Sequence, residues 1–137
     1  MSDQAPCRDL PALMNAAERQ RCRAALVDCR RQLLRILRTM KGEEQDIYIQ
    51  DRLDRTEWIM NHLGHMASSE RRDNSVIISM IESIESAVSD LRVELTAFES
   101  SDRDMRRLDR LIDKVDQVLT KTVKLVAQFP PGEKASR

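Results

Sequence analysis

Between Val76 and Phe98 the apolar residues fall at Ile77, Ile81, Ile84, Val88, Leu91, Leu95 and Phe98. The intervals alternate four and three without a break. This is the spacing of one helical face that must pack against other helices. It predicts a helix over this stretch, and three further stretches carry seams that would cover it.

The first is preceded by Asn15-Ala-Ala-Glu18, which has the form of a capping box: the Asn side chain takes an orphan amide and Glu18 reaches back. A helix is expected from Ala16 to Lys41, stopped by Gly42. Its seam is Cys22, Leu26, Cys29, Leu33, Ile36 and Met40. Val27, Leu34 and Leu37 widen the apolar arc to about half the circumference. One bundle face rarely needs that much, so an N-terminal turn or a second chain would cover the excess. Asp9-Leu10-Pro11 is a candidate for such a short helical turn, with Leu10, Leu13 and Met14 on its apolar side.

The second helix is expected over 43–67, with the seam Ile49, Leu53, Thr56, Met60, Leu63 and Ala67, broadened by Ile59 and Met66. A second stripe runs on its other side: Ile47, Asp51, Asp54, Trp58, Asn61 and His65, with His62 beside it. Residues 68–74 break the pattern and end on a cap. After the Val76–Phe98 helix, Ser100-Ser101-Asp102 supplies another break and cap. The fourth helix is expected over 103–128, with Met105, Leu108, Ile112, Val115, Leu119, Thr122 and Val126 as its seam. Phe129-Pro130-Pro131-Gly132 ends it.

The expected fold is therefore all-α: an antiparallel four-helix bundle of up-down-up-down connectivity over residues 15–129, with tails at 1–14 and 130–137. The alternative is two hairpins completed by dimerisation. Three glycines, four prolines and 3% aromatic residues favour helix over sheet in a chain of 137 residues, one domain by size. Charge supports the pairing order. Residues 8–41 hold nine basic and three acidic residues (net +6), and 43–67 hold six acidic and two basic (−4). Residues 76–99 hold five acidic and one basic (−4), and 102–128 hold seven basic and five acidic (+2).

With 23 basic and 23 acidic residues the formal charge is zero, so nothing global marks a nucleic-acid or membrane-surface binder. No apolar run reaches 18 residues, and Met1–Leu10 lacks a signal-peptide core, so a cytoplasmic protein is expected. Cys7, Cys22 and Cys29 form no CxxC pair. Cys22 and Cys29 lie about 10 Å apart along one helix, too far to bridge, and are expected buried and reduced.

Four constellations are candidates for function. Arginines along the first helix (Arg23, Arg30, Arg31, Arg35 and Arg38, with Arg19 and Arg21) could track phosphates, although no aromatic falls between them to stack on bases. His62 and His65 could ligate a metal from adjacent turns, but lack a third ligand, a Glu-x-x-His partner and the Cys-x-x-Cys-His of c-type haem. The same pair could serve phosphotransfer, though the Lys-Gly that follows the phosphorylated His in such bundles is missing from His62-Leu63-Gly64-His65-Met66. The fourth is Trp58, the only tryptophan. It faces away from Leu53, with Ile47 and His65 on its own side, a composition suited to an interface hot spot. Either this face is open, or a long end of the first helix or the N-terminal turn covers it as a satellite cluster.

No Gly-rich phosphate loop, Gly-x-Ser-x-Gly or HExxH occurs. The expectation is a non-enzymatic interaction module of adaptor, chaperone or assembly-factor type, with no cofactor. It would bind a partner helix or a second copy, as a homodimer, through surplus apolar surface on the first two helices. Its expected contact residues are Ile47, Trp58, His65, Val27 and Leu34. The alternatives are a nucleic-acid-associated protein acting through the first helix, and a His-centred metal, haem or phosphotransfer bundle.

Overall fold

The structure is a computed structural model and describes residues 10–40, 42–101 and 104–129. Four helices account for most of them: α1 Ala16–Thr39, α2 Asp46–His65, α3 Ser75–Ser100 and α4 Met105–Val126. Among the described residues there is no strand, only a single bridge between Asn15 and Ser69. No helix among them is long and apolar enough to cross a membrane.

Local chemistry sets the helix ends. Asn15 accepts the Glu18 amide at 2.7 Å while the Glu18 carboxylate accepts the Asn15 amide at 2.8 Å, so both halves of the expected capping box are present. Past the end of α1, Gly42 has φ +85, a conformation that costs a residue with a Cβ. Asn74 caps α3 through the amides of Val76 and Ile77. α4 begins later than the sequence suggests, because Asp104 is its cap and accepts the Arg106 amide at 3.0 Å. Asp102, named in the expected cap, lies outside the described residues, as do Asp9, Cys7, Lys41 and the tail 130–137. Residues 10–14 form no helical turn, since their backbone makes only bends. Met14 is nevertheless buried, and Leu10 packs on the core.

The core follows the seams closely on α1 and α3. All seven α3 residues from Ile77 to Phe98 are buried, as are Cys22, Leu26, Cys29, Leu33, Ile36 and Met40. Each large apolar side chain hidden in this way contributes about 1.5–3 kcal/mol. On α2 the buried face is rotated from the expected one. Ile59 and Met66 are buried, Leu53 and Met60 only half so, and Ala67 is exposed. On α4 the face turns likewise: Leu111, Val118 and Leu125 join the core, Ile112 is half-buried and Met105 is exposed.

Ion pairs fix how the helices lie. Arg21 meets Glu85 at 2.7 and 2.8 Å, Arg92 meets Asp28, and Arg35 meets Glu99 at 2.6 Å. Each pair spans 64 residues, and the rungs recur every seven along both helices. α1 and α3 therefore lie side by side, in the same direction and in one axial register. Arg52 and Asp116 join α2 to α4 with the same separation of 64, at 2.8 and 3.1 Å. Arg30–Glu57 joins α1 to α2, and Lys121–Ser83 and Arg107–Glu94 join α4 to α3.

In this arrangement α1 packs on α2 and α3, α4 packs on α3 and α2, and α2 and α3 occupy opposite corners. The net-positive helices α1 and α4 thus each lie between the two net-negative ones. A ring in chain order would have put two like-charged pairs side by side. The arrangement sends the α2–α3 connection across the end of the bundle, over the start of α1. There Ser69 donates to the Met14 carbonyl at 3.0 Å, and Asn15 donates to the Arg71 carbonyl and to Asp73. Glu18, with no solvent exposure, accepts from Arg71, from the Asn74 amide and from the Asn15 amide. Burial by itself would raise the Glu18 pKa. The bonds from Arg71 and the two amides outweigh it and hold the carboxyl below its ordinary value.

Candidate functional site

The seam between α2 and α4 is held at one end by Arg52, whose pKa is raised by its hydrogen bonds to Asp116. Arg52 also donates to the Tyr48 carbonyl, which pins the guanidinium along α2. Beyond this tie the two helices leave an open cleft of about 500 Å³, lined by Arg55, Trp58 and Ile59 of α2 and by Leu119, Thr120, Val123, Lys124 and Ala127 beside them. Ile59 and Leu119 are buried and form its floor. Trp58 and Val123 stand on its walls, 64% and 49% exposed. The size and apolar lining suit a few apolar side chains of a guest, with Arg55, Thr120 and Lys124 as the polar edge.

Trp58 is held in place from one side. The His62 ring, one turn along α2, stacks on the indole with centroids 5.5 Å apart and planes 18° from parallel. His65 is exposed, and its Nδ1 lies 2.8 Å from the Asn61 carbonyl. The two histidines therefore have local roles at the end of α2. Among the described residues no group of three or more His, Cys, Asp or Glu is placed to hold a metal ion.

The five expected contact residues do not come together. Trp58 lines the cleft. Ile47 and His65 are exposed on the outer side of α2 but do not line it. Val27 and Leu34 are half-buried and flank Arg30 on α1, whose partner is Glu57. They belong to the α1–α2 seam on the other side of α2. The open apolar surface around Trp58 is thus shared by α2 and α4, where the sequence pointed to the first two helices. Leu119, Thr120, Val123, Lys124 and Ala127 were missing from the sequence-derived site. Val123 gave the one available signal, an apolar residue off the α4 seam, four places after Leu119. Tyr48, 57% exposed beside Ile47, was missed in the same way.

The arginines of α1 are divided. Arg19 donates to the Leu63 and Met66 carbonyls and so closes the end of α2. Arg21, Arg30 and Arg35 are in ion pairs. Arg23, Arg31 and Arg38 are exposed and make no ion pair among the described residues. Cys22 and Cys29 are both free thiols in the core. Burial, with the Glu85 charge near Cys22 and the Asp28 charge near Cys29, pushes each up to about 12. No protein-family model, no curated protein and no solved structure matches this chain.

Proposed function

We propose that this chain is a non-enzymatic interaction module of the adaptor, chaperone or assembly-factor kind. In this reading it is an up-down-up-down bundle that seats a helix, from a partner or from a second copy, in the α2–α4 cleft. The observation that carries the reading is Trp58: a lone tryptophan, 64% exposed and braced by His62 at an apolar cleft. Tryptophan is the residue most enriched in interface hot spots, and an amphipathic helix laid in a groove offers side chains at matching intervals. The expected docking surface on helices 1 and 2 is revised to α2 and α4, since Val27 and Leu34 are half-buried at a different seam.

A photoreactive amino acid at Thr120, on the exposed edge of the cleft, tests this in cells. Cross-links to a defined protein, or to the chain itself, that vanish with Trp58→Ala support the reading. Cross-linking to nothing, or to the same proteins with and without Trp58, overturns it. The nucleic-acid reading retains Arg23, Arg31 and Arg38 as exposed cations, and salt-dependent binding to DNA or RNA lost in their triple Glu variant would favour it instead.

A further inference from the structure

We infer that the occupant of the α2–α4 cleft is a second copy of this chain, docked with α2 antiparallel to α2 about a two-fold axis level with Leu53. The inference rests on the reading of the cleft as a docking site and specifies its guest. What points to a second copy is the order of residues along α2. Tyr48, Asp51, Arg55 and Trp58 are spaced three, four and three, which aligns them along one side of the helix. All four are exposed, Tyr48 and Trp58 by 57% and 64%. Asp51 and Arg55 touch each other at 3.1 Å.

Reversed, the stripe keeps its aromatic ends and exchanges its charges: aromatic, basic, acidic, aromatic. Two antiparallel copies therefore set Tyr48 of one against Trp58 of the other, and Asp51 of one against Arg55 of the other. Both pairs have their midpoint at position 53, so a single axis satisfies both, and each contact occurs twice. That is the condition for a self-complementary interface. A parallel arrangement would set Asp51 on Asp51 and Arg55 on Arg55. An unrelated helix would have no reason to match the sequence of charges.

In the antiparallel pair each Tyr48 enters the other copy's cleft beside Trp58 and Val123. Its ring meets the apolar walls, and its hydroxyl points to the edge formed by Thr120 and Lys124. Each Asp51 then lies between its own Arg55 and that of the second copy, which converts two isolated surface pairs into a four-charge network. The aromatic contacts give such a network the desolvated flanks that an exposed pair lacks.

The full chain should rise in mass from 15.8 kDa toward twice that value between low micromolar and near-millimolar concentration, by light scattering or sedimentation. Trp58, as the only tryptophan, should shift its emission to the blue over the same range. Asp51→Arg and Arg55→Asp should each weaken association at least about tenfold, through like charges brought together. The double swap should restore it, because it exchanges the signs and keeps the order. Both sites are exposed, so helix content by circular dichroism should be unchanged in all three.

A mass of 15.8 kDa throughout overturns the inference. So does a dimer indifferent to either charge reversal, or one that the double swap fails to rescue. A monomer whose Thr120 probe cross-links another protein through Trp58 removes the second copy and leaves the docking reading standing. A monomer with no such cross-link removes both.

Discussion

The Glu18 carboxylate accepts two hydrogen bonds from the Arg71 guanidinium, at 2.5 and 3.1 Å, across 53 residues of chain. Each Glu18 oxygen also takes a backbone amide, that of Asn15 at 2.8 Å and that of Asn74 at 2.7 Å. One buried side chain therefore completes the start of α1, receives the crossing connection and anchors the start of α3.

Glu18→Ala is expected to destabilise the fold by about 3 kcal/mol, because it leaves the Arg71 charge and two amides without their partner. Arg71→Ala should cost somewhat less, since the two amides still satisfy the carboxylate. Urea unfolding of both single variants and the double would give the coupling between them.

Because the folded Glu18 titrates below its ordinary value of 4.5, the unfolded chain binds the proton more readily. Its contribution to stability is full above that value and declines as pH falls through the folded pKa. Thermal midpoints between pH 6 and pH 2 should show this loss, and Glu18→Gln should flatten it.

The thiols work in the opposite pH range. With Cys22 and Cys29 pushed up to about 12 from 9.0, the unfolded chain loses the thiol protons first. Stability should be insensitive to these groups below pH 9 and should fall as pH rises above it. At pH 8 both should resist an alkylating reagent in the native state and react in denaturant, as mass spectrometry would show.

Core and surface substitutions on α3 should differ sharply. Ile84 is fully buried, and Ile84→Ala is expected to cost about 2–5 kcal/mol. Val93 on the same helix is 70% exposed, and Val93→Ala should change stability by less than about 0.5 kcal/mol. Chemical denaturation of the two variants provides the comparison.

The sequence was most legible where a seam was used on one side only. On α1 and α3 the heptad-like spacing marked the buried residues, and the Asn15–Glu18 box marked where α1 begins. It was least legible where packing depends on which helix sits at which corner. The buried face of α2 turns toward Ile59, and that of α4 turns toward Val118, on the side that Lys121 and Arg107 tie to α3, which leaves Met105 outside. Net charge suggested which helices pair along the chain, but the diagonal placement of α2 and α3 depends on the crossing connection and its Glu18–Arg71 anchor. Those residues are 53 positions apart and form no local pattern. Trp58 stood out by its type and its position off the seam. Its neighbours Leu119 and Val123 belong to a helix that is not next to α2 in the chain.

The rungs between α1 and α3 also limit how the molecule can move. Arg21–Glu85, Asp28–Arg92 and Arg35–Glu99 resist sliding along most of that edge, and the Glu18 cluster clamps its end. The opposite edge has Arg52–Asp116 as its one ion pair among the described residues. Motion in such a body is expected to be greatest between α2 and α4, as in a book with α1 and α3 as the spine and α2 and α4 as the covers. The fore-edge is the side on which Trp58 stands.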